Sequence, residues 1–204
     1  MIHVSATADP RQAYFDRLAP DWDRTGPNPQ ATLARLRGLA GRLGLRAGLD
    51  VLEVGCGTGQ ISGWLAGQVA PGRVVAVDFA PGMLAQARAR GLDVEFRCVD
   101  VCAPGALEGR FDRVLCFHCF PHLRDPAAAL AQMRGCLTEG GELLVLHLAG
   151  SAPLNAFHAQ IGGAVASDRL PSAAEWEPLL RAPGLRVVEL EDREELFLLR
   201  AVGG

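Results

Sequence analysis

The sequence predicts an α/β protein built around one doubly wound sheet whose strands run mostly parallel. Short apolar runs alternate with stretches of helical period along most of the 204 residues. The first run, residues 50–54, ends in a glycine-rich turn at Gly55–Gly59 that leads into a helix. The second run, residues 73–78, ends in Asp78. Ligands of open α/β sheets bind at the carboxyl ends of the strands, so both features predict one binding crevice.

Capping residues and glycines mark where the helices begin and end. Asp9 and Asp125 each precede a proline at a helix start, and Ser172 with Glu175 forms a capping box. Gly44 ends another helix. The predicted helices span residues 10–18, 30–44, 60–69, 81–90, 127–137, 154–163 and 173–181.

The apolar runs predict seven strands. Residues 139–141 are predicted to form a tight turn into the fifth strand, and a hairpin through Asp192 and Arg193 makes the seventh strand antiparallel to the sixth. The predicted strands span residues 50–54, 73–78, 94–99, 111–117, 142–148, 185–190 and 194–202.

Composition excludes several classes of function. A net charge of −3 argues against a nucleic-acid partner, which usually requires a basic patch. All 20 basic residues are arginines, so Schiff-base lysine catalysis is excluded. No long apolar run predicts a membrane span, and residues 1–5 show no secretory signal. We therefore expect a cytoplasmic protein with free cysteines, as a monomer or a homodimer.

The glycine turn indicates what kind of ligand the crevice takes. Glycines allow the backbone to approach a ligand closely, and Asp78 is placed to accept hydrogen bonds from ribose hydroxyls. A dinucleotide fingerprint has the pattern G-x-G-x-x-G, whereas here the pattern is G-x-G-x-G and position 60 is Gln60. The negative charge of Glu53 would repel a diphosphate, whereas it would attract a ligand with a cationic amine.

Residues 53–59 resemble the first motif of the class I S-adenosylmethionine (SAM)-dependent methyltransferases. Four further blocks resemble later motifs of this family in the family's order, so the similarity covers about residues 48–148. They lie at residues 77–84, 99–101, 111–116 and 137–145. The resemblance, which is to the small-molecule enzymes of the family, implies a Rossmann-like sheet of seven strands, mostly parallel with an antiparallel strand seven.

The resemblance also implies SAM as cofactor and assigns residues to it. Backbone at Gly55 and Gly57 would meet the methionyl part, Asp78 the ribose, and the carbonyl of Cys116 the amine. Met83 is expected against the adenine, although ordinary helix packing explains it as well. The full expected set is Glu53, Gly55, Cys56, Gly57, Gly59, Asp78, Phe79, Met83, Asp100, Val101 and Cys116.

Four histidines are expected at the carboxyl edge of the sheet. His147, at the end of strand five, is expected where the acceptor pocket opens, and His158 lies in the segment behind it. His122 follows strand four in a turn where such a histidine often packs structurally. Histidine suits proton transfer near neutral pH, so we name His147, His158 and His122 as candidate catalytic residues. A metal held by His147 and His158 is the alternative; without paired ligand spacing, no metal site is predicted.

One domain, residues 1–204, is expected. Residues 1–29 are predicted to form a lid over the ligand or only to cover the sheet edge, and residues 149–170 to form a short cap over the acceptor. The predicted function is transfer of a methyl group from SAM to a small-molecule acceptor. The alternatives are a non-catalytic SAM-binding module and a NAD-dependent oxidoreductase.

Overall fold

The computed structural model describes residues 9–204 and contains a seven-stranded mixed sheet. The strands are β1 (Val51–Val54), β2 (Val74–Asp78), β3 (Glu95–Cys98), β4 (Phe111–Phe117), β5 (Leu137–His147), β6 (Leu185–Arg193) and β7 (Leu196–Gly203). They lie in the order β3-β2-β1-β4-β5-β7-β6. The α/β class and the Rossmann-like sheet expected from the sequence are confirmed.

Strand direction changes at one place in this sheet. The pairs from β3 to β5 are parallel, whereas β7 runs antiparallel to both β5 and β6. Strand β1 has β2 on one side and β4 on the other, so the chain reverses its direction of winding there. In open α/β sheets such a reversal opens a crevice at the carboxyl ends of the strands. The crevice therefore lies above β1 and β4.

Eight α-helices surround the sheet in the part of the chain that the structure describes. They are α1 (Pro10–Leu18), α2 (Trp22–Thr25), α3 (Pro29–Leu43), α4 (Ser62–Val69), α5 (Pro81–Ala89), α6 (Pro126–Gly135), α7 (Ser151–Ile161) and α8 (Ala173–Arg181). Asp9 and Asp125 cap α1 and α6 as predicted, and the capping box at Ser172 begins α8.

Apolar side chains fill both faces of the sheet because neighbouring positions of a strand point to opposite sides. Val51 packs with Leu36 of α3 and Leu65 of α4 on one face. Leu52 packs on the other face, where Leu130 of α6 and Trp176 of α8 belong to the same core. Burial of one such leucine stabilises the fold by about 1.5–3 kcal/mol. The sheet is thus a rigid base for the crevice.

Two predicted turns differ from those in the structure. Strand β5 begins at Leu137, so the expected turn at residues 139–141 is an irregularity inside a longer strand. Gly140 has φ +73° at this point, and the pairing with β4 shifts register there. The last hairpin turns at residues 194–195 because Asp192 and Arg193 still pair with β7.

Helix α7 starts three residues earlier than predicted. The carboxylate of Asp192 on β6 accepts hydrogen bonds from the backbone N–H (2.8 Å) and the hydroxyl (2.5 Å) of Ser151. These bonds satisfy a free amide at the first turn of the helix, as a local capping residue would. The cap comes from a distant strand, so the local sequence around residue 150 did not indicate it.

Candidate active site

A cavity of about 780 Å³ occupies the crevice above the carboxyl ends of β1, β2 and β4. Its floor is the glycine turn after β1 and the end of β2. Helices α1, α2 and α7 form its walls on the other side. The cavity has the size and the mostly apolar lining of a small-molecule site.

The three glycines of the turn differ in what a side chain at each position would contact. All three have positive φ: +69° at Gly55, +55° at Gly57 and +74° at Gly59. A Cβ added at Gly55 would lie 2.3 Å from Cβ of Cys119, and one added at Gly59 would lie 3.2 Å from Cβ of Ala87. A Cβ at Gly57 would meet nothing within 4 Å. Gly57 therefore faces the open cavity, whereas Gly59 does not line it.

Asp78 lies at the floor of the cavity, next to this glycine. Its carboxylate accepts hydrogen bonds from the backbone N–H groups of Gly57 (2.8 Å) and Ala80 (2.9 Å). Burial raises the pKa of Asp78, while these two N–H donors oppose the rise. The carboxylate is thus held rigidly at the end of β2.

Glu53 is buried beneath the turn. The hydroxyl of Ser62 donates a hydrogen bond of 2.6 Å to its carboxylate. Burial raises the pKa of Glu53 to about 8, against the lowering effect of Ser62, and the charge of Asp78 adds to the rise. A cationic group in the adjacent cavity would favour the ionised carboxylate, as expected for a ligand that carries an amine.

An apolar slot lies beyond Asp78. Phe79, Met83 and Val101 line it, and Asp100 stands at its edge. The carboxylate of Asp100 pairs with Arg124 at 2.8 Å. The slot thus has apolar walls and a polar rim.

Two cysteines support the turn from below. Cys116 is fully buried and does not line the cavity, and its thiol lies 2.9 Å from that of Cys119. Cys119 donates a hydrogen bond of 2.9 Å to the carbonyl of Val54. Contact with Cys116 and burial raise the pKa of the Cys119 thiol well above its ordinary value, so it stays protonated. No pattern in the sequence marks Cys119 as the neighbour that requires glycine at position 55.

The N-terminal segment covers the cavity in the part that the structure describes. Gln12 of α1 donates a hydrogen bond of 2.7 Å to the carbonyl of Phe79, and Asp16 accepts one of 2.6 Å from the N–H of Gly82. Phe15 packs against Met83 in a small apolar cluster. Of the predicted lid, residues 1–29, the first eight lie outside the described residues.

Asp23 ties the same segment to the glycine turn. Its carboxylate accepts hydrogen bonds from the hydroxyl of Thr58 (2.6 Å) and the amide of Gln60 (2.9 Å). It also pairs with Arg90 at the end of α5. The cover and the floor of the cavity are therefore connected directly.

The predicted cap, residues 149–170, forms helix α7 and a short 3-10 helix at Gly163–Val165. Its apolar side chains line the cavity, and Phe157 and Ile161 remain 55% and 45% exposed. Asn155 does not face a ligand, because its amide bonds the backbone N–H and carbonyl of Leu170. Asn155 therefore closes the loop that follows α7.

Two of the three candidate catalytic histidines meet at the cavity. The rings of His122 and His158 lie 5.0 Å apart, centroid to centroid, and both line it. Between them stands Asp168, which the sequence analysis missed. Its carboxylate lies 2.7 Å from Nδ1 of His122, and its backbone carbonyl lies 3.0 Å from Nδ1 of His158. Nothing in the local sequence marks this aspartate, since it lies in a loop between two helices.

His147 does not lie where the acceptor pocket opens, which corrects its expected position. It is 1% exposed and does not line the cavity. It shares a strand face with Val145, which packs in the core beneath α6 and α8, so its ring points into that core. Neither ring nitrogen has a hydrogen-bond partner among residues 9–204. Burial lowers the pKa of His147 well below its ordinary value.

His118 separates His147 from the cavity. The two rings lie 5.3 Å apart, and His118 lines the cavity. His118 has φ +55°, an uncommon conformation outside glycine that is often found at functional sites. Burial lowers the pKa of His118 to about 4, so its ring is neutral near pH 7.

Within residues 9–204, no three His, Cys, Asp or Glu side chains are arranged to hold a metal ion. None of the helices described combines the length and the apolar content needed to cross a bilayer. All six cysteines are free thiols.

Known proteins share this architecture and its sequence motifs. Residues 51–141 match the family model described as a methyltransferase domain. A ubiquinone biosynthesis O-methyltransferase of Xanthomonas oryzae pv. oryzae (strain PXO99A) is 37% identical over 132 residues, which are 61% of this chain and 54% of that protein. A demethylmenaquinone methyltransferase of Thermus thermophilus is 38% identical over 100 residues, 47% of this chain and 46% of that protein. The chain spans about half the length of these curated relatives.

Solved structures extend the similarity to nearly the whole chain. DhpI in the DhpI-SAH complex superposes with a TM-score of 0.71 and 25% identity over 95% of both chains. The methyltransferase in a complex with the Haloferax volcanii Trm112 activator has a TM-score of 0.74 at 20% identity, covering 93% of this chain and 97% of that one, which shows the fold. The chain is similar in sequence motifs and in fold to the class I SAM-dependent methyltransferases. The resemblance seen in the sequence is confirmed, and the cofactor of this family is SAM.

The position of His147 gives a stability prediction. Replacing it by leucine (His147→Leu) should raise the free energy of unfolding by about 1–3 kcal/mol, because a buried imidazole without hydrogen bonds is removed. The gain should be larger at pH 5 than at pH 8. The folded-state pKa of His147 is lowered, so near pH 5 the unfolded chain binds a proton that the folded chain does not, and the original protein loses stability as the pH falls below about 6.5.

Urea denaturation at both pH values measures this difference. His158→Leu is the matched control, since it leaves the carbonyl of Asp168 without its hydrogen bond and should lower stability. A His147→Leu protein less stable than the original at pH 8 would show that the ring is satisfied in solution.

Proposed function

We propose that this chain binds SAM and transfers its methyl group to a small-molecule acceptor. The observation that supports this most is the pairing of Gly57 with Asp78 at the crevice. A Cβ at Gly57 would project into open space, and a rigid carboxylate stands beside it. This arrangement gives a ribose and its neighbouring groups a place at the end of β2.

The residues around the crevice fit the parts of SAM. We assign Asp78 to the ribose hydroxyls, the turn at Gly55–Gly57 to the methionyl group, and Glu53 to the amine. The adenine is assigned to the slot of Phe79, Met83, Asp100 and Val101. Gly59 and Cys116 support this set from outside the cavity lining. When bound, SAM supplies a methyl group on a good leaving group, and positioning then provides much of the acceleration.

The other half of the cavity favours an apolar acceptor. Leu154 and Phe157 of α7 line it. The partly exposed Phe157 lets an elongated acceptor extend toward solvent. The relatives named above are, by name, a ubiquinone biosynthesis O-methyltransferase and a demethylmenaquinone methyltransferase. We therefore propose phenols and quinols as the first acceptors to test, with His122 and His158 as the polar groups that meet them.

The alternatives predict different cavities. A non-catalytic SAM-binding module would need no room for a second molecule, whereas this cavity of about 780 Å³ continues from the crevice to α7. A nicotinamide cofactor would bring a diphosphate to the turn above Glu53, whose carboxyl group offers no positive charge to pair with it. Methyl transfer therefore accounts best for the site.

Calorimetry with SAM and with NAD, followed by assays for S-adenosylhomocysteine release, tests the proposal. We expect binding of SAM and none of NAD. Thiols, phenols, quinols and amines are then offered separately, and release that depends on a phenol or quinol is expected. Binding of SAM without release by any acceptor would favour the non-catalytic module, and binding of NAD would overturn the cofactor assignment.

Replacing the ribose acid tests the cofactor position. Asp78→Ala should raise the Kd for SAM at least tenfold, about 1.4 kcal/mol, because two hydroxyl hydrogen bonds to a carboxylate are lost. Calorimetry measures the Kd, and thermal unfolding checks that the variant is folded. Asp93→Ala, at an exposed acid away from the cavity, is the control and should leave the Kd unchanged. Equal affinities of the two variants would contradict the ribose assignment.

We also propose that residues 9–29 act as a lid that closes over SAM. Asp23→Ala removes the hydrogen bonds from Thr58 and Gln60 and the pairing with Arg90. The Kd for SAM should rise roughly fivefold, about 1 kcal/mol, mainly through faster dissociation measured by stopped flow. The control is Asp21→Ala, which breaks an exposed ion pair with Arg24 in the same segment. If both variants release SAM at the original rate, the segment only covers the sheet edge.

A further inference from the structure

Asp168 is a buried carboxylate at the meeting point of three separate parts of the chain. Its side chain is fully buried although it lies in the loop after α7. One carboxylate oxygen lies 2.7 Å from Nδ1 of His122, in the turn after β4. The other lies 2.8 Å from Nε and 2.6 Å from Nη2 of Arg11, on α1. Buried carboxylates require such partners.

The contact determines which nitrogen of His122 carries the proton. Burial raises the pKa of Asp168, but hydrogen bonds from His122 and Arg11 outweigh this and leave the pKa of the carboxyl below its ordinary value. An ionised carboxylate only accepts hydrogen bonds, so Nδ1 of His122 must be the donor. In the neutral ring Nε2 is then left as an acceptor.

Nε2 of His122 is available to a ligand. It makes no hydrogen bond with any of residues 9–204, and it is not a buried atom. His122 lines the cavity between Phe15 of α1 and His158, whose rings each lie 5.0 Å from its own. His158 donates from Nδ1 to the carbonyl of Asp168, because a carbonyl oxygen can only accept. His158 thus supports the same loop.

We propose that Asp168 is a positioning residue that holds His122 in the tautomer of a general base, and that the acceptor is therefore a protic one, a hydroxyl or a thiol. This inference rests on the proposed methyl transfer. An acceptor that has no proton to lose, such as a tertiary amine, does not need the general base that Asp168 and His122 would provide.

Proton transfer to His122 accompanies methyl transfer to the acceptor. The acceptor O–H or S–H gives its proton to Nε2 of His122, which becomes an imidazolium stabilised by the carboxylate of Asp168. The electron pair left on the acceptor oxygen or sulfur forms the new bond to the methyl carbon. The bond from that carbon to the sulfonium breaks, and its electron pair stays on sulfur as a neutral thioether. Asp168 remains ionised throughout.

A substitution at Arg11 tests the alternative that Asp168 has a purely structural role. If Asp168 only fastens α1 to the loop through Arg11, then Arg11→Gln should have the same effect as Asp168→Asn. If Asp168 positions His122, Asp168→Asn should lower kcat about 100-fold, whereas Arg11→Gln should lower it by less than about tenfold. The Kd for SAM should change no more in Asp168→Asn than in Arg11→Gln, because both substitutions weaken the same contact between α1 and the loop.

Nitrogen-15 NMR of the histidine rings gives a readout that needs no acceptor. The original protein and Arg11→Gln should show His122 with its proton on Nδ1. Asp168→Asn should show a population with the proton on Nε2, since the amide of asparagine donates to Nδ1. Asp168→Glu should restore the Nδ1 tautomer and part of the turnover.

The outcomes separate this inference from the proposed function. Unchanged tautomers in Asp168→Asn, or turnover equal to that of Arg11→Gln, would overturn the positioning role even in an active methyltransferase. Turnover with a tertiary amine but with no hydroxyl or thiol would overturn the acceptor class. Failure of the original protein to bind SAM would instead count against the proposed function, and the ring spectra would still decide the role of Asp168.

Discussion

Gly57 donates its backbone N–H to the carboxylate of Asp78, and this bond joins the turn after β1 to the end of β2. The rest of the site depends on it. The turn keeps its shape because Cys119 and Ala87 occupy the space that side chains at positions 55 and 59 would need. The crevice is therefore preformed, so little conformational entropy is lost when a ligand binds there.

The cover of the cavity is attached by polar contacts on an apolar base. Phe15 provides the apolar part, and Gln12, Asp16 and Asp23 bond to backbone and side chains around the crevice. Such contacts contribute about 1 kcal/mol each, because each replaces hydrogen bonds to water. In the lid role proposed above, a cover held in this way would open without disrupting the core.

The four histidines near the sheet edge have separate roles because their surroundings differ. His147 and His118 are desolvated, which lowers the pKa of each ring and keeps it neutral. His122 instead faces an ionised carboxylate and the cavity. The same residue type thus packs in the core in one place and faces the cavity beside a carboxylate in another, a difference that spacing along the chain does not reveal.

The sequence by itself determined the order of strands and helices, the glycine turn and the position of Asp78, because hydrophobic period, caps and glycines act within a few residues. It also predicted His122 and His158 near one edge. Only the tertiary structure decided that His147 points into the core and that Asp168 joins His122 to Arg11. These contacts link residues 46 and 157 positions apart, and such pairs leave no local pattern because the fold alone brings them together.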